Sequence, residues 1–171
     1  MLDRFKVPED IAVRVQADDM RATVENLFTA LGMTEEAAKT SVDVLIYADI
    51  RGIDSHGVSN MTPAYVHWLK NKILNATPDV KIARDSGAAV TIDCDKGLGL
   101  AVGPGAMDLA IERAKQYGIG VAIAFNAFHY GAAAYYAQRA LAHDMIGMSM
   151  TTGGVLVAPT QGAEPLLGLN P

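Results

Sequence analysis

Residues 51–57 (RGIDSHG) concentrate side chains that can do chemistry in one short turn. His56 has the side chain best suited to exchanging a proton near neutral pH. Ser55 could orient that imidazole or hydrogen-bond a substrate oxygen. Arg51 offers a permanent cation whose planar donors match a carboxylate. Turns also collect such residues for structural reasons, with Gly52 as a helix C-cap, so the heptapeptide alone leaves both interpretations open.

A second histidine, His129, follows the apolar segment 121–125. That segment is typical of a strand covered on both faces. Gly131 lies in the first turn of the next predicted helix. Ligands of α/β proteins gather at such a sheet edge, where strands end and helices begin. His129 could therefore bind a ligand, or it could cap the sheet edge through its ring nitrogens.

Residues 151–154 (TTGG) follow a further apolar segment, 146–150, which we predict to be another buried strand. The same edge argument places Thr152 and Gly153 where a cofactor would bind. The alternative is a plain glycine-rich loop.

The glycine-rich segment 97–103 (GLGLAVG) lies between a predicted strand and a predicted helix. It departs from the Rossmann dinucleotide-binding pattern because its third glycine comes one position late. The next strand also lacks the acidic residue expected to hold the ribose. A plain strand-to-helix turn is the better interpretation.

Hydrophobic spacing predicts helices in the first part of the chain and alternating strands and helices in the second. A helix with apolar residues at 20, 24, 27, 28 and 31 ends at Gly32, and Thr34 caps the helix that leads to Arg51. A short third helix should begin near Pro63. From residue 79 the pattern is that of an α/β layer. We therefore predict a helical lobe (1–75) and the first part of an α/β domain (76–171).

Composition narrows the class of protein. The net charge is −5, from 14 basic and 19 acidic residues without long runs, which gives no basic face for nucleic acid. No apolar segment is long enough to cross a membrane. The single cysteine, Cys94, excludes an internal disulfide and fits a reducing, cytoplasmic compartment. No spacing of His, Cys or acidic residues predicts a metal site.

Three further segments, 126–131 (NAFHYG), 157–162 (VAPTQG) and 167–171 (LGLNP), follow 51–57 in a characteristic order. Together they resemble the malate/L-lactate dehydrogenase family of NAD(P)-dependent oxidoreductases, which is distinct from the Rossmann-type lactate and malate dehydrogenases. The resemblance extends from the first helix to the last residue. Members of that family are about twice as long. The expectation is an N-terminal half, with an incomplete α/β domain built on a non-Rossmann nucleotide-binding sheet.

The resemblance implies reversible hydride transfer between NAD or NADP and a small 2-hydroxy or 2-keto acid, and it also permits a cyclic imine. It implies a homodimer with active sites near the subunit interface. The alternative is a truncated or degenerate paralogue that binds a nucleotide or a partner subunit without turnover.

The family pattern also implies roles for individual residues. Either His56, backed by Ser55, or His129 would act as the acid/base. His129 and Gly131 would lie at the cofactor, with Thr152 and Gly153 helping to wall the nucleotide site. The family commonly has arginine at the position of Asn60, where it holds the substrate carboxylate. A neutral amide cannot form that ion pair, so Asn60 would act as a weaker ligand or Arg51 would bind the acid.

Overall fold

A computed structural model describes residues 7–171 of the chain. Helices and strands follow one another as the α/β prediction requires. The helices are α1 (Ala17–Ala30), α2 (Glu35–Asp49), α3 (Val58–Lys70), α4 (Gly99–Tyr117) and α5 (Ala133–Ala137), with 3-10 turns at Asp54–His56 and Gln138–His143. The strands are β1 (Lys81–Asp85), β2 (Ala89–Gly97), β3 (Val121–Ala127), β4 (Val155–Val157) and β5 (Leu167–Gly168).

The first two helices follow the predicted boundaries. The Thr34 hydroxyl accepts a hydrogen bond from the Ala37 N–H at 3.2 Å, which caps α2. Gly32 ends the α1 segment with a φ of +99°, a value that favours glycine. Local signals therefore define both helices.

Helix α3 begins at Val58, five residues before the predicted start at Pro63, which lies inside the helix. The Asp49 carboxylate accepts a hydrogen bond from the Val58 N–H at 3.0 Å. A side chain from the preceding helix thus caps α3, whereas the predicted start relied on the local preference of proline.

The main sheet has the order β1-β2-β3, with β1 antiparallel and β3 parallel to β2. Helix α4 connects the two parallel strands and ends at Gly118, which adopts a φ of +82°. One face of β2 buries Val90, Ile92 and Cys94 against α4. This is a β-α-β unit with a hairpin strand added at one edge.

The two apolar segments predicted as buried strands are both exposed. Segment 121–125 forms β3, but Val121, Ile123 and Phe125 are 42%, 55% and 44% exposed, because β3 is an edge strand and α4 covers only one of its faces. Segment 146–150 is not a strand at all. Within residues 7–171 it has no strand partner for its backbone groups, so its apolar character alone does not make it β-structure.

The largest core cluster joins the helices of the first part to the second. Buried residues of α1, α2 and α3 pack with Leu98, Leu100 and Tyr136. The division of the chain near residue 75 stays a prediction. Across residues 7–171, no helix combines the length and apolar character needed to cross a bilayer.

Gly105 and Gly120 should respond oppositely to alanine. Gly105 is exposed in α4, and an added Cβ would meet no heavy atom within 4 Å. Gly105→Ala should therefore stabilise the fold by about 0.5–1 kcal/mol, because alanine is the better helix former.

An added Cβ at Gly120 would overlap the Ala110 carbonyl oxygen. Gly120→Ala should cost about 1–3 kcal/mol. Urea unfolding measures both free energies, and similar losses in the two variants would contradict the close α4–β3 packing.

Candidate active site

The fold brings together the two histidines that the sequence singled out. The imidazole rings of His56 and His129 stack, with centroids 5.4 Å apart and an interplanar angle of 24°. His56 comes from the 3-10 turn that follows α2, and His129 comes from the segment directly after β3. The pair therefore lies where the helical part of the chain meets the carboxyl end of the sheet, the edge that was predicted for His129.

His56 is held by its neighbour in the chain. The Ser55 Oγ lies 2.8 Å from His56 Nδ1. A serine hydroxyl can donate or accept, so it can bond this nitrogen in either tautomer. Burial lowers the pKa of His56. The predicted partnership of Ser55 with this imidazole is present in the geometry.

Asn60 stabilises the turn that contains His56. Its Nδ2 donates a hydrogen bond to the Asp54 carbonyl oxygen at 2.7 Å. This contact gives Asn60 a structural task, and its predicted role in binding the substrate stays a prediction.

Asp49 fixes the other end of the same turn, and the sequence analysis did not identify it. Besides capping α3 through Val58, its carboxylate lies against Gly57 so closely that an added Cβ there would overlap it. Burial raises the pKa of Asp49, the hydrogen bond from Val58 lowers it, and the charge of Asp54 raises it further. An acidic residue in the last turn of a helix opposes the helix dipole. That mismatch was the available sign that Asp49 has a task outside α2.

His129 is held through Nδ1 by two groups. The Tyr65 hydroxyl lies 2.8 Å from this nitrogen, and the Gly131 N–H donates to it at 3.3 Å. Burial, with a smaller effect from the neighbouring His56, lowers the pKa of His129 from 6.5 to about 4. His129 is therefore neutral at neutral pH.

Gly131 requires the absence of a side chain. Its φ is +73°, and an added Cβ would lie 3.0 Å from Val44 Cγ1 and 3.5 Å from Leu100 Cδ1. Only glycine fits this conformation and this space without strain. The predicted contact of Gly131 with a cofactor stays a prediction, while its hydrogen bond to His129 gives it a positioning role.

Tyr65 is the second residue that sequence reasoning missed. It lies in the predicted third helix, and its side chain is fully buried. A buried tyrosine usually needs a partner for its hydroxyl. A tyrosine on the apolar face of a helix was the available sign, but its partner, His129, lies 64 residues away and could not be identified from local sequence.

Three predicted site residues, Arg51, Thr152 and Gly153, are exposed and are not bonded to the histidine pair in the described part of the chain. The Arg51 guanidinium lies 3.8 Å above the centroid of the Tyr47 ring and is exposed to solvent. Thr152 and Gly153 are also exposed, and the Gly153 N–H donates to the Leu169 carbonyl oxygen beside the β4–β5 pair. In the part of the chain that the structure describes, none of these hydrogen bonds or ring contacts reaches the histidine pair.

The glycine-rich turn at 97–103 does not form a phosphate cradle. An added Cβ at Gly97 would lie 2.8 Å from Pro78, and one at Gly99 would lie 2.5 Å from Tyr130. The chain itself fills the space that these glycines leave, which agrees with the rejection of a Rossmann site.

The donor set of the histidine pair suits an organic ligand. Two imidazoles and a serine hydroxyl can hold a substrate oxygen or the carboxamide of a nicotinamide. No cluster of three or more His, Cys, Asp or Glu side chains among residues 7–171 could hold a metal ion.

Known proteins match this chain along nearly its whole length. The chain is 45% identical over 171 residues to a malate dehydrogenase of Pyrococcus abyssi and 40% identical over 157 residues to an L-sulfolactate dehydrogenase of Methanocaldococcus jannaschii. These alignments cover 100% and 92% of this chain but 47% and 45% of the relatives. The malate dehydrogenase structure from Pyrococcus horikoshii superposes with a TM-score of 0.91 at 43% identity, over 97% of this chain and 47% of that one.

The chain thus spans about half the length of the curated relatives that it matches. A family model described as malate/L-lactate dehydrogenase matches residues 15–171. The RGIDSHG turn and the segment with His129 both fall inside the matched range. On these grounds the chain belongs to the malate/L-lactate dehydrogenase family.

Proposed function

We propose that this protein is an NAD(P)-dependent oxidoreductase that transfers a hydride between its cofactor and a small 2-hydroxy or 2-keto acid. The observation that supports this most directly is the stacked pair of His56 and His129 in a chain of this family. Relatives bear the names malate dehydrogenase and L-sulfolactate dehydrogenase, and malate and sulfolactate are both 2-hydroxy acids.

Oxidation of a 2-hydroxy acid removes a hydride from its second carbon and a proton from the oxygen on that carbon. A bound nicotinamide supplies or accepts the hydride. The residues of this chain must hold the oxygen, take its proton and return it in the reverse direction. Two imidazoles in contact can divide these tasks between them.

We assign the proton exchange to His56. Its Nδ1 is held by Ser55, and no hydrogen bond to its Nε2 is recorded within the described residues. Because burial lowers its pKa, His56 is neutral at neutral pH and can accept a proton from an alcohol. The Ser55 hydroxyl can rotate to suit the protonation state of the ring.

We assign the holding of the oxygen to His129. The Gly131 N–H points at Nδ1, which leaves the ring proton on Nε2. With a pKa of about 4, the ring keeps this neutral form at neutral pH. A neutral N–H that does not titrate near neutral pH suits a hydrogen-bond donor to the substrate oxygen better than it suits a general acid/base.

The remaining expectations extend this proposal. Arg51 and Asn60 are the candidates for the substrate carboxylate, and Arg51 is the stronger because it is charged. Gly131, Thr152 and Gly153 are the candidates on the cofactor side. We also propose a cytoplasmic homodimer that uses NAD or NADP, without nucleic-acid or membrane partners.

Replacing each histidine by glutamine should separate the two tasks. His56→Gln should lower turnover of malate or sulfolactate by about 10²–10⁴-fold, because general acid/base catalysis is lost. His129→Gln should also weaken the binding of substrate and cofactor. The measurements are steady-state turnover and cofactor titration on the protein expressed from its complete gene, with NAD and NADP. His143→Gln is the control, because His143 is exposed.

Two results would contradict these assignments. Full turnover in His56→Gln together with a loss of turnover at unchanged binding in His129→Gln would make His129 the acid/base. Absence of turnover in the wild type with 2-hydroxy acids and either cofactor would contradict the proposed activity.

The low pKa of His129 should appear in the stability of the protein. Because its pKa is about 4 in the fold against an ordinary 6.5, the unfolded chain takes up the proton first as the pH falls. The stabilisation from neutral His129 is therefore complete above about pH 6.5 and is lost as the pH falls towards 4, by up to about 3 kcal/mol. Urea unfolding at several pH values should show a shallower loss in His129→Gln than in wild type or His143→Gln. Identical pH dependence in all three would show that His129 titrates normally.

A further inference from the structure

Helix α3 links the two histidines. It begins directly after Gly57, next to His56, and Tyr65 projects from its buried side. The Tyr65 hydroxyl lies 2.8 Å from Nδ1 of His129, with ring centroids 6.0 Å apart. The helix that continues from one histidine therefore contacts the other through a single buried phenol.

The direction of the hydrogen bond follows from the neighbouring Gly131. A backbone N–H can only donate, and that of Gly131 points at Nδ1 of His129. A proton on Nδ1 would face this N–H, so the tautomer with a lone pair on Nδ1 is the one that suits both neighbours. The Tyr65 hydroxyl is then a donor, and the His129 ring proton lies on Nε2.

Tyr65 is the stronger of the two donors to this nitrogen. Its distance of 2.8 Å is that of a normal hydrogen bond, while the 3.3 Å from the Gly131 nitrogen is long. Burial raises the pKa of Tyr65, so its phenol keeps its proton. No second partner for the Tyr65 hydroxyl is recorded among residues 7–171. Without the bond to His129, the buried Tyr65 hydroxyl would be an unpaired donor, and the energetic cost of this favours the bond.

We propose that Tyr65 is a positioning residue that fixes His129 in the tautomer with the proton on Nε2 and in its observed ring orientation. The ring thereby presents its donor at Nε2, and the nitrogen that faces Tyr65 is an acceptor. That this donor meets the substrate oxygen rests on the proposed function, whereas the tautomer itself does not.

The experiment is nitrogen NMR on the 171-residue chain labelled with ¹⁵N-histidine, without cofactor or substrate. The chain has four histidines, so His129 is assigned by comparison with His129→Gln. Protonated and unprotonated ring nitrogens resonate far apart, which reads the tautomer directly. Wild type should show His129 with Nε2 protonated and Nδ1 unprotonated. Tyr65→Phe removes only the hydroxyl and leaves the long Gly131 contact as the remaining donor to Nδ1, which is too weak to hold one tautomer, so this variant should show averaged shifts from a mixture of tautomers.

Tyr135→Phe is the matched control. It removes a hydroxyl from another helical tyrosine, whose ring packs on Tyr47 with centroids 5.4 Å apart. This variant should keep the wild-type His129 shifts. Backbone amide spectra of both variants establish that the fold is retained. If Tyr65→Phe does not fold, the wild type decides, since a slowly exchanging Tyr65 hydroxyl proton with a nuclear Overhauser effect to the His129 ring supports the proposal and its absence opposes it.

Three results would overturn the proposal. The first is wild-type His129 with its proton on Nδ1, and the second is an unchanged single tautomer in Tyr65→Phe. The third is an equal change in Tyr135→Phe. Because the measurement needs no ligand, a protein without dehydrogenase activity could still show the predicted tautomer, so failure of the proposed function is distinguishable from failure of this inference.

Discussion

The Asp49 carboxylate is the interaction on which the geometry of the site depends. It accepts the Val58 N–H at the start of α3 and occupies the space beside Gly57 that a side chain would need. One acidic side chain thereby joins the end of α2 to the start of α3 and closes the 3-10 turn between them. His56 and Tyr65 both take their positions from this junction. Burial of the carboxylate has an energetic cost, as its raised pKa shows, and the hydrogen bond partly offsets it.

The division of the site between two parts of the chain explains its chemistry. The helical part supplies His56, its serine partner and Tyr65, while the carboxyl end of β3 supplies His129 and Gly131. Each imidazole is bonded through Nδ1, which leaves Nε2 of each ring for a ligand. The nature of the Nδ1 partner then distinguishes the rings. The Ser55 hydroxyl can reverse its role, whereas the Gly131 N–H, which shares Nδ1 of His129 with the Tyr65 hydroxyl, can only donate.

Sequence reasoning succeeded wherever the determining contact is local. Thr34 caps α2 by accepting the N–H of Ala37, three residues along the chain, and Gly32 ends the α1 segment. It failed wherever the partner is distant in sequence or missing. The early start of α3 requires a carboxylate nine residues upstream, and the role of Tyr65 requires a histidine 64 residues downstream. The segment 146–150 is apolar, as a buried strand would be, but apolar character does not specify a pairing partner. The two histidines were identified from residue type and position, while their mutual contact needed the fold.

Because the two imidazoles stack, the pair can take up one additional proton but not two. Two rings with centroids 5.4 Å apart and partly buried cannot both be charged without strong repulsion. The neighbouring His56 already lowers the pKa of His129. In the proposed reaction, the positive charge that His56 gains with a substrate proton would lower the pKa of His129 further. His129 would then stay neutral and keep donating its hydrogen bond through the whole cycle, and the proton's only exit would be by way of His56.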